Sequence, residues 1–223
     1  MCDLLLSKYA EAEARGTAAD VAETGDGQRA AFKGRQGDGR EAEEKQGSSG
    51  EALAKLEKCN LKVGRVESCE PVPESDKLYL LKVRFGDEVR QVCSGLQKFV
   101  KADDLVATKV MAITNLKPAK MAGLLSEAMV LACEPAPGVV RVLRPDPASA
   151  DGERVHALVD GKPHVAKDAP PKKLSSTVWA DVQPRLLARG GAATYEGLTL
   201  AAVDAAATAR AVAADAPDGA AIR

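Results

Sequence analysis

The chain has 223 residues and a mass of 23.3 kDa, enough for one or two small domains. Its 31 Lys and Arg stand against 32 Asp and Glu, a formal charge of -1 that excludes a protein holding nucleic acid by bulk charge alone. Hydrophobic residues make up 45% of the chain but aromatics only 3%, so the core must be small and aliphatic. No apolar run approaches the roughly 20 residues of a membrane span. Met1-Cys2-Asp3-Leu4-Leu5-Leu6 has neither the basic start nor the apolar length of a signal peptide, so a soluble, unexported, cytoplasmic protein is expected. The cysteines, Cys2, Cys59, Cys69, Cys93 and Cys133, contain no Cys-x-x-Cys pair, and only His156 and His164 could join them. The ligand spacing of a structural zinc site is missing, and buried free thiols are expected instead.

Residues 1–56 differ in texture from the rest. Thr24-Gly25-Asp26-Gly27, Gly34-Arg35-Gln36-Gly37-Asp38-Gly39 and Gly47-Ser48-Ser49-Gly50 are too rich in glycine, serine and charge to bury the apolar surface that offsets chain entropy. The segment holds 8 basic and 11 acidic residues and reads as a mildly acidic flexible arm. A transient helix in its first fifteen residues would place Leu5, Leu6 and Tyr9 near one face, but a frayed terminus is the favoured reading.

From Glu57 onward short β-type runs alternate with turn residues. Leu61, Val63 and Val66 begin the first, with Gly64 at a bulge or bend. In Leu78–Phe85, the side chains of Tyr79, Leu81, Val83 and Phe85 share one face and Lys82 and Arg84 the other. Gly86-Asp87-Glu88 turns into Val89–Cys93. Ser94-Gly95 then introduces a short helical stretch with Leu96, Phe99 and Val100. Leu105–Thr114, Glu127–Cys133 and Val139–Leu143 are further apolar runs. Five or so strands around one brief helix predict a small closed barrel, with a sandwich as the competing arrangement.

The last third opens with Pro170-Pro171-Lys172-Lys173. Ser175 or Ser176 caps a predicted helix in which Val178, Val182 and Leu186 recur every four residues, disturbed at Pro184 and stopped at Gly190-Gly191. Tyr195-Glu196-Gly197-Leu198 reads as a turn between two strands. Of the 21 residues from Ala201 to Ala221, 12 are alanine, compatible with a strand followed by loose chain.

No catalytic constellation emerges. The two histidines have no nucleophile in a recognisable setting, no Gly-rich phosphate loop is present, and Asp103-Asp104 reads as a solvated helix end. The chain is read as a non-enzyme without metal or cofactor. The segment Asn115-Leu116-Lys117-Pro118-Ala119-Lys120-Met121-Ala122-Gly123-Leu124-Leu125-Ser126-Glu127-Ala128-Met129 places two lysines around a proline in a loop between strands. Such a loop presents cations and backbone donors to phosphates, although taken alone an ordinary polar loop is the better account.

That segment resembles the signature loop of the EMAP-type tRNA-binding domain. This is the oligonucleotide/oligosaccharide-binding (OB) barrel of endothelial monocyte-activating polypeptide II, of its synthetase-complex precursor, and of some methionyl- and tyrosyl-tRNA synthetases. Leu61-Lys62-Val63-Gly64, Pro73-x-x-Asp76-x-Leu78-Tyr79 and Val92-Cys93-Ser94-Gly95-Leu96 are similar to the family's earlier motifs in order and spacing. Pro171-Lys172-Lys173, Trp179 with Val182-Gln183-Pro184-x-Leu186, and Ala193-Thr194-Tyr195-x-Gly197 resemble the subgroup's additional C-terminal domain.

The resemblance implies a mainly β protein: an N-terminal arm over 1–56, a five-stranded OB barrel over 57–160, and a small α+β EMAP-type domain over 161–223 packed on it. It implies a non-catalytic protein that binds tRNA largely irrespective of anticodon and assists aminoacyl-tRNA synthetases within or beside a multi-synthetase complex. An assembly scaffold with weak RNA binding and a released cytokine-like fragment are the alternatives. With few aromatics, recognition should rest on backbone and shape. The expected contacts are Lys82, Arg84, Arg90, Ser94, Asn115, Lys117, Lys120, Met121 and Ser126. A monomer is expected, with Trp179 anchoring the C-terminal domain on an apolar face of the barrel.

Overall fold

The structure, a computed structural model, describes residues 50–223. It is mainly β and antiparallel. The first helix, α1, covers residues 50–58. Strands follow at Leu61–Pro71 (β1), Tyr79–Phe85 (β2), Glu88–Ser94 (β3), Lys109–Ile113 (β4), Ala119–Met121 (β5), Leu124–Ser126 (β6), Met129–Val130 (β7), Ala132–Ala136 (β8), Val139–Val142 (β9), Arg154–Val159 (β10) and Lys162–Pro163 (β11). Helix α2 spans Ser176–Val182, and β12 (Leu186–Arg189), β13 (Ala192–Tyr195), β14 (Leu198–Val203) and β15 (Ala209–Ala211) complete the order.

The principal sheet runs β12-β13-β14-β10-β1-β2-β3, with β4 beside β1 and β7 beside β4. These pairings do not close into a ring, so the closed five-stranded barrel predicted from sequence is not what the ladders form. Between β3 and β7 the ladder gives way to side chains. The Cys93 amide donates to Ser126 Oγ at 3.0 Å, and the Gln91 amide donates to a Glu127 carboxylate oxygen at 3.1 Å.

β4 explains how the core divides. Val110 and Ala112 enter a cluster with Leu81, Val83, Phe85 and Val92. Met111 and Ile113 enter another with Leu61, Leu131, Leu143, Leu186, Tyr195 and Leu200. A strand buried on both faces reads as a continuous apolar run rather than an alternating one, which is how Val110–Ile113 reads. The second cluster contains residues from both 57–160 and 161–223, so β10 and β14 pair across that boundary, with Val155 opposite Ala202 and Ala157 opposite Leu200.

The flexible-arm reading fails over residues 50–56. Glu51-Ala52-Leu53-Ala54-Lys55-Leu56 is strongly helix-forming, and Ala52, Leu53 and Leu56 are buried in the shared core. Tyr195, fully buried, donates its hydroxyl to the Ala52 carbonyl at 3.1 Å. Lys55 bridges Glu51 and Asp181, each at 3.1 Å. The remainder of the arm, with the transient helix read around Leu5, Leu6 and Tyr9, lies outside the described residues.

Other local expectations change for identifiable reasons. Gly64 is not at the bulge, which falls between Val66 and Ser68. A Cβ at Gly64 would meet Phe85 Cε1 and Val83 Cγ1 at 2.5 Å, so glycine is required there by close approach of β2 side chains. Leu96–Val100 makes a single turn, and the short 3-10 helix sits at Ala102–Asp104. Ser175 caps α2 by accepting from the Thr177 amide at 3.3 Å. Pro184 lies in a 3-10 turn that ends the helix, and Leu186 begins β12 with a buried side chain. Gly190-Gly191, both at positive φ, turn the β12–β13 hairpin rather than stop a helix. The alanine-rich end is ordered by packing: Val212, Ala214 and Ile222 are buried, and Ile222 bridges Cys133.

Burial sets the thiol chemistry. Desolvation, with Glu57 adding to it, pushes the Cys59 thiol up to about 12, and desolvation pushes Cys69 to about 11. Folded values above the ordinary 9.0 mean that these thiols contribute stability that is present below pH 9 and lost as pH rises towards the folded values. Peptide-resolved alkylation should therefore find Cys59 and Cys69 far slower in the native chain than in urea at pH 8. The native rate should rise as pH approaches 11.

Candidate nucleic-acid interface

The loop between β4 and β6 is built around Asn115, whose side chain is consumed by the fold. Its Oδ1 accepts from the Asn60 amide, and its Nδ2 donates to the carbonyls of Lys58 and Pro171, each at 2.9 Å. Its own carbonyl accepts from the Leu174 amide at 2.7 Å. With a relative exposure of 4%, Asn115 fastens the loop to α1 and to the segment before α2, and its side chain is committed to those bonds rather than offered to a ligand. The chain then runs through exposed Lys117 and Pro118 into the β5–β6 hairpin. There Ala122 and Gly123 take positive φ to make the tight turn, and Lys120 is exposed opposite Leu125.

A groove of about 300 Å³ opens beside this hairpin, lined by Ser94, Gly95, Leu116, Lys117, Met121 and Ser126 among others. Four of the sequence-predicted contacts, Ser94, Lys117, Met121 and Ser126, are thus brought together. Ser126 nevertheless contributes structure rather than a free hydroxyl. It is buried, accepts from the Cys93 amide and donates to the Ala128 carbonyl at 2.9 Å.

The remaining predicted contacts lie elsewhere. Arg90 is engaged internally: its guanidinium pairs with Glu88 at 2.8 and 3.0 Å and donates to the Thr114 carbonyl. Arg84 pairs with Glu67 at 2.6 Å. Lys82 is exposed on β2, two residues from Arg84 on the same face. Lys82, Lys117 and Lys120 carry no ion pair among the described residues. An ammonium without a carboxylate partner is available to an external phosphate, whereas Arg84 and Arg90 must first break an existing pair.

Sequence reasoning missed two features. Phe99 is 42% exposed while Tyr79, Phe85 and Tyr195 are buried, so one aromatic face is open to solvent a few residues beyond Ser94-Gly95. Glu57, almost fully buried, lies 3.2 Å from His156 Nδ1 and 3.6 Å from Arg154 Nη2. That pair joins α1 to β10 inside the protein and is structural; the sequence separation of its members hides it.

Residues 61–154 match the family model described as "Putative tRNA binding domain". This match covers residues 61–154 alone, less than half of the chain. Over 103 residues the chain is 47% identical to the methionine–tRNA ligase of Methanocaldococcus jannaschii, a stretch covering 46% of this chain and 16% of the ligase. It is 36% identical over 145 residues to the aminoacyl tRNA synthase complex-interacting multifunctional protein 1 of Cricetulus griseus, covering 64% of this chain and 39% of that protein. The crystal structure of the C-terminal domain of Plasmodium vivax p43 superposes with a TM-score of 0.67 at 26% identity, covering 75% of this chain and 98% of that domain. The chain therefore spans well under half the length of these two curated relatives. The resemblance to EMAP-type tRNA-binding domains stands, and the match covers a small part of the ligase.

Asn115 and Lys117, two residues apart, should behave oppositely when truncated. Asn115→Ala leaves three backbone groups without their side-chain partner and should lower unfolding free energy by about 2 kcal/mol. Lys117→Ala should change it by less than about 0.5 kcal/mol. Urea denaturation of the two variants checks both values.

Proposed function

We propose that the protein is a non-catalytic tRNA-binding factor that serves aminoacyl-tRNA synthetases, contacting tRNA through backbone and shape rather than through the anticodon. The observation that carries this reading is the groove beside the β5–β6 hairpin, flanked by unpaired Lys117 and Lys120, inside the segment that matches the tRNA-binding family model. Two ammonium groups, Lys117 just before the hairpin and Lys120 on it, mounted on a loop fixed by Asn115, suit phosphates held at a set spacing, and phosphate contacts position an RNA without reading its sequence. Ser94 and Met121 line the same groove, and Phe99 offers one face for stacking.

Two further points belong to this proposal. The sheet is read as an OB-type barrel whose seam, between β3 and β7, is bridged by Ser126 and Glu127; the Glu127 amide donates to the Gln91 carbonyl at 2.9 Å across it. The protein is also read as a monomer in the cytoplasm, joining other synthetase-complex subunits as partners. Coverage of the second core by residues 161–223 supports the monomer, since it leaves that face nothing to bury against a twin.

Titration with bulk tRNA at two salt concentrations, with duplex DNA as control, tests the central statement. Binding should weaken steeply with salt, by close to one logarithmic unit per logarithmic unit of salt for each phosphate contact. Joint replacement of Lys117 and Lys120 by alanine should cost about 1 to 3 kcal/mol of tRNA affinity and flatten that slope. Absence of tRNA binding at low salt would favour the assembly-scaffold reading.

A further inference from the structure

The hydrogen bonds of Asn115 gather more than the signature loop. Its Nδ2 holds the Pro171 carbonyl at 2.9 Å and its carbonyl holds the Leu174 amide at 2.7 Å. The two residues between those anchors are Lys172 and Lys173, both exposed. The same Nδ2 also holds the carbonyl of Lys58, the last residue of α1 and itself exposed, at 2.9 Å. One buried amide therefore brings three separate stretches of chain together, and each carries lysine within two residues of the junction: Lys58, Lys117, and the Lys172-Lys173 pair. None of these lysines has a carboxylate partner among the described residues. Like charges carried on chain segments that meet at one junction repel one another, and exposed lysines with no counter-charge of their own are relieved by an external anion.

A second groove of about 600 Å³ runs from this junction, lined by Lys58, His164, Lys167, Asp168 and Pro171 among others. Glu57 also lines that groove and, with Asp168, sets two carboxylates against Lys58 and Lys167. The nearest acidic side chain of α1, Glu57, is turned into the core against His156, and Asp181 of α2 is taken up by Lys55.

We propose that Lys172 and Lys173, with Lys58, form a second phosphate-binding surface continuous with the signature loop, which takes phosphodiesters of the same RNA. This site rests on the tRNA-binding reading above and extends the RNA footprint onto residues 161–223, beyond the segment that matches the family model. The carboxyl-terminal segment then has two roles: it covers the second core, and it contributes to the interface. A ligand spanning Lys117 to Lys173 meets cations on both sides of a rigid joint, because Asn115 fixes the two stretches relative to one another.

The test is a mobility-shift titration of the full chain with bulk tRNA at two salt concentrations. Lys172→Ala with Lys173→Ala should weaken binding about ten-fold and flatten the salt slope by about 1.5. Lys172→Arg with Lys173→Arg should restore both, since charge is what the phosphate meets. A charge-matched control, Lys77→Ala with Lys101→Ala, removes two exposed lysines from connections that Asn115 does not hold and should leave affinity near that of the unaltered chain. If the 172/173 alanine pair binds tRNA as the unaltered chain does while the Lys117/Lys120 pair does not, the second surface is refuted and the loop site stands. Equal loss in the Lys77/Lys101 control also refutes it, by showing a response to net charge alone. An unaltered chain that fails to bind tRNA removes the tRNA reading itself.

Discussion

Strand β4 is buried on both faces, and most of the architecture follows from that constraint. Val110 and Ala112 fill one core while Met111 and Ile113 fill another, so the sheet built by residues 61–142 has no solvent face along this strand. A small β domain normally exposes one side of its sheet. Here the second side must be covered, and the cover comes from α1, α2, the β12–β14 strands and the alanine-rich end. Tyr195 is the anchor of that cover: it is fully buried and its hydroxyl reaches α1. Trp179, chosen from sequence for the same task, packs on the core only in part.

Asn115 converts this packing into a functional geometry. A buried amide with every hydrogen-bonding group satisfied is rigid, and its partners lie on α1, at Asn60 and on both sides of Lys172-Lys173. The loop that carries Lys117 and Lys120 is therefore mounted on the shared core rather than on a free hairpin. Preorganised cations lose little freedom when an anion arrives, which favours binding by a protein whose overall charge is nearly neutral. Locally unpaired lysines, not net charge, supply the attraction.

The sequence made the strands legible where one face is buried. Tyr79, Leu81, Val83 and Phe85 alternate, and all four are inside. The β13–β14 turn at Glu196-Gly197 was legible from its turn chemistry, and both residues take positive φ. The signature loop was legible through its resemblance to known domains. What escaped were contacts between residues far apart in sequence. Asn115 and Ser126 read as polar contacts for a ligand, yet their partners at Lys58, Pro171 and Cys93 make them structural. The helix over 50–58 escaped because it follows a glycine- and serine-rich stretch, and only a core assembled from distant strands explains why its apolar residues are buried. Closure of the barrel was inferred from strand count, which carries no information about whether the edge strands meet by backbone ladder or by side chain.

Residues 161–223 share one core with residues 61–154, so residues 50–223 should unfold as one cooperative unit. Trp179 is the only tryptophan of the chain and lies on α2, so its fluorescence reports that segment alone. Far-ultraviolet circular dichroism reports the backbone structure of the whole chain. Urea unfolding of the full chain followed by both signals should give coincident transitions with one midpoint. A Trp179 transition that is complete while most of the dichroism remains would show that residues 161–223 detach independently and that the shared core does not unfold as one.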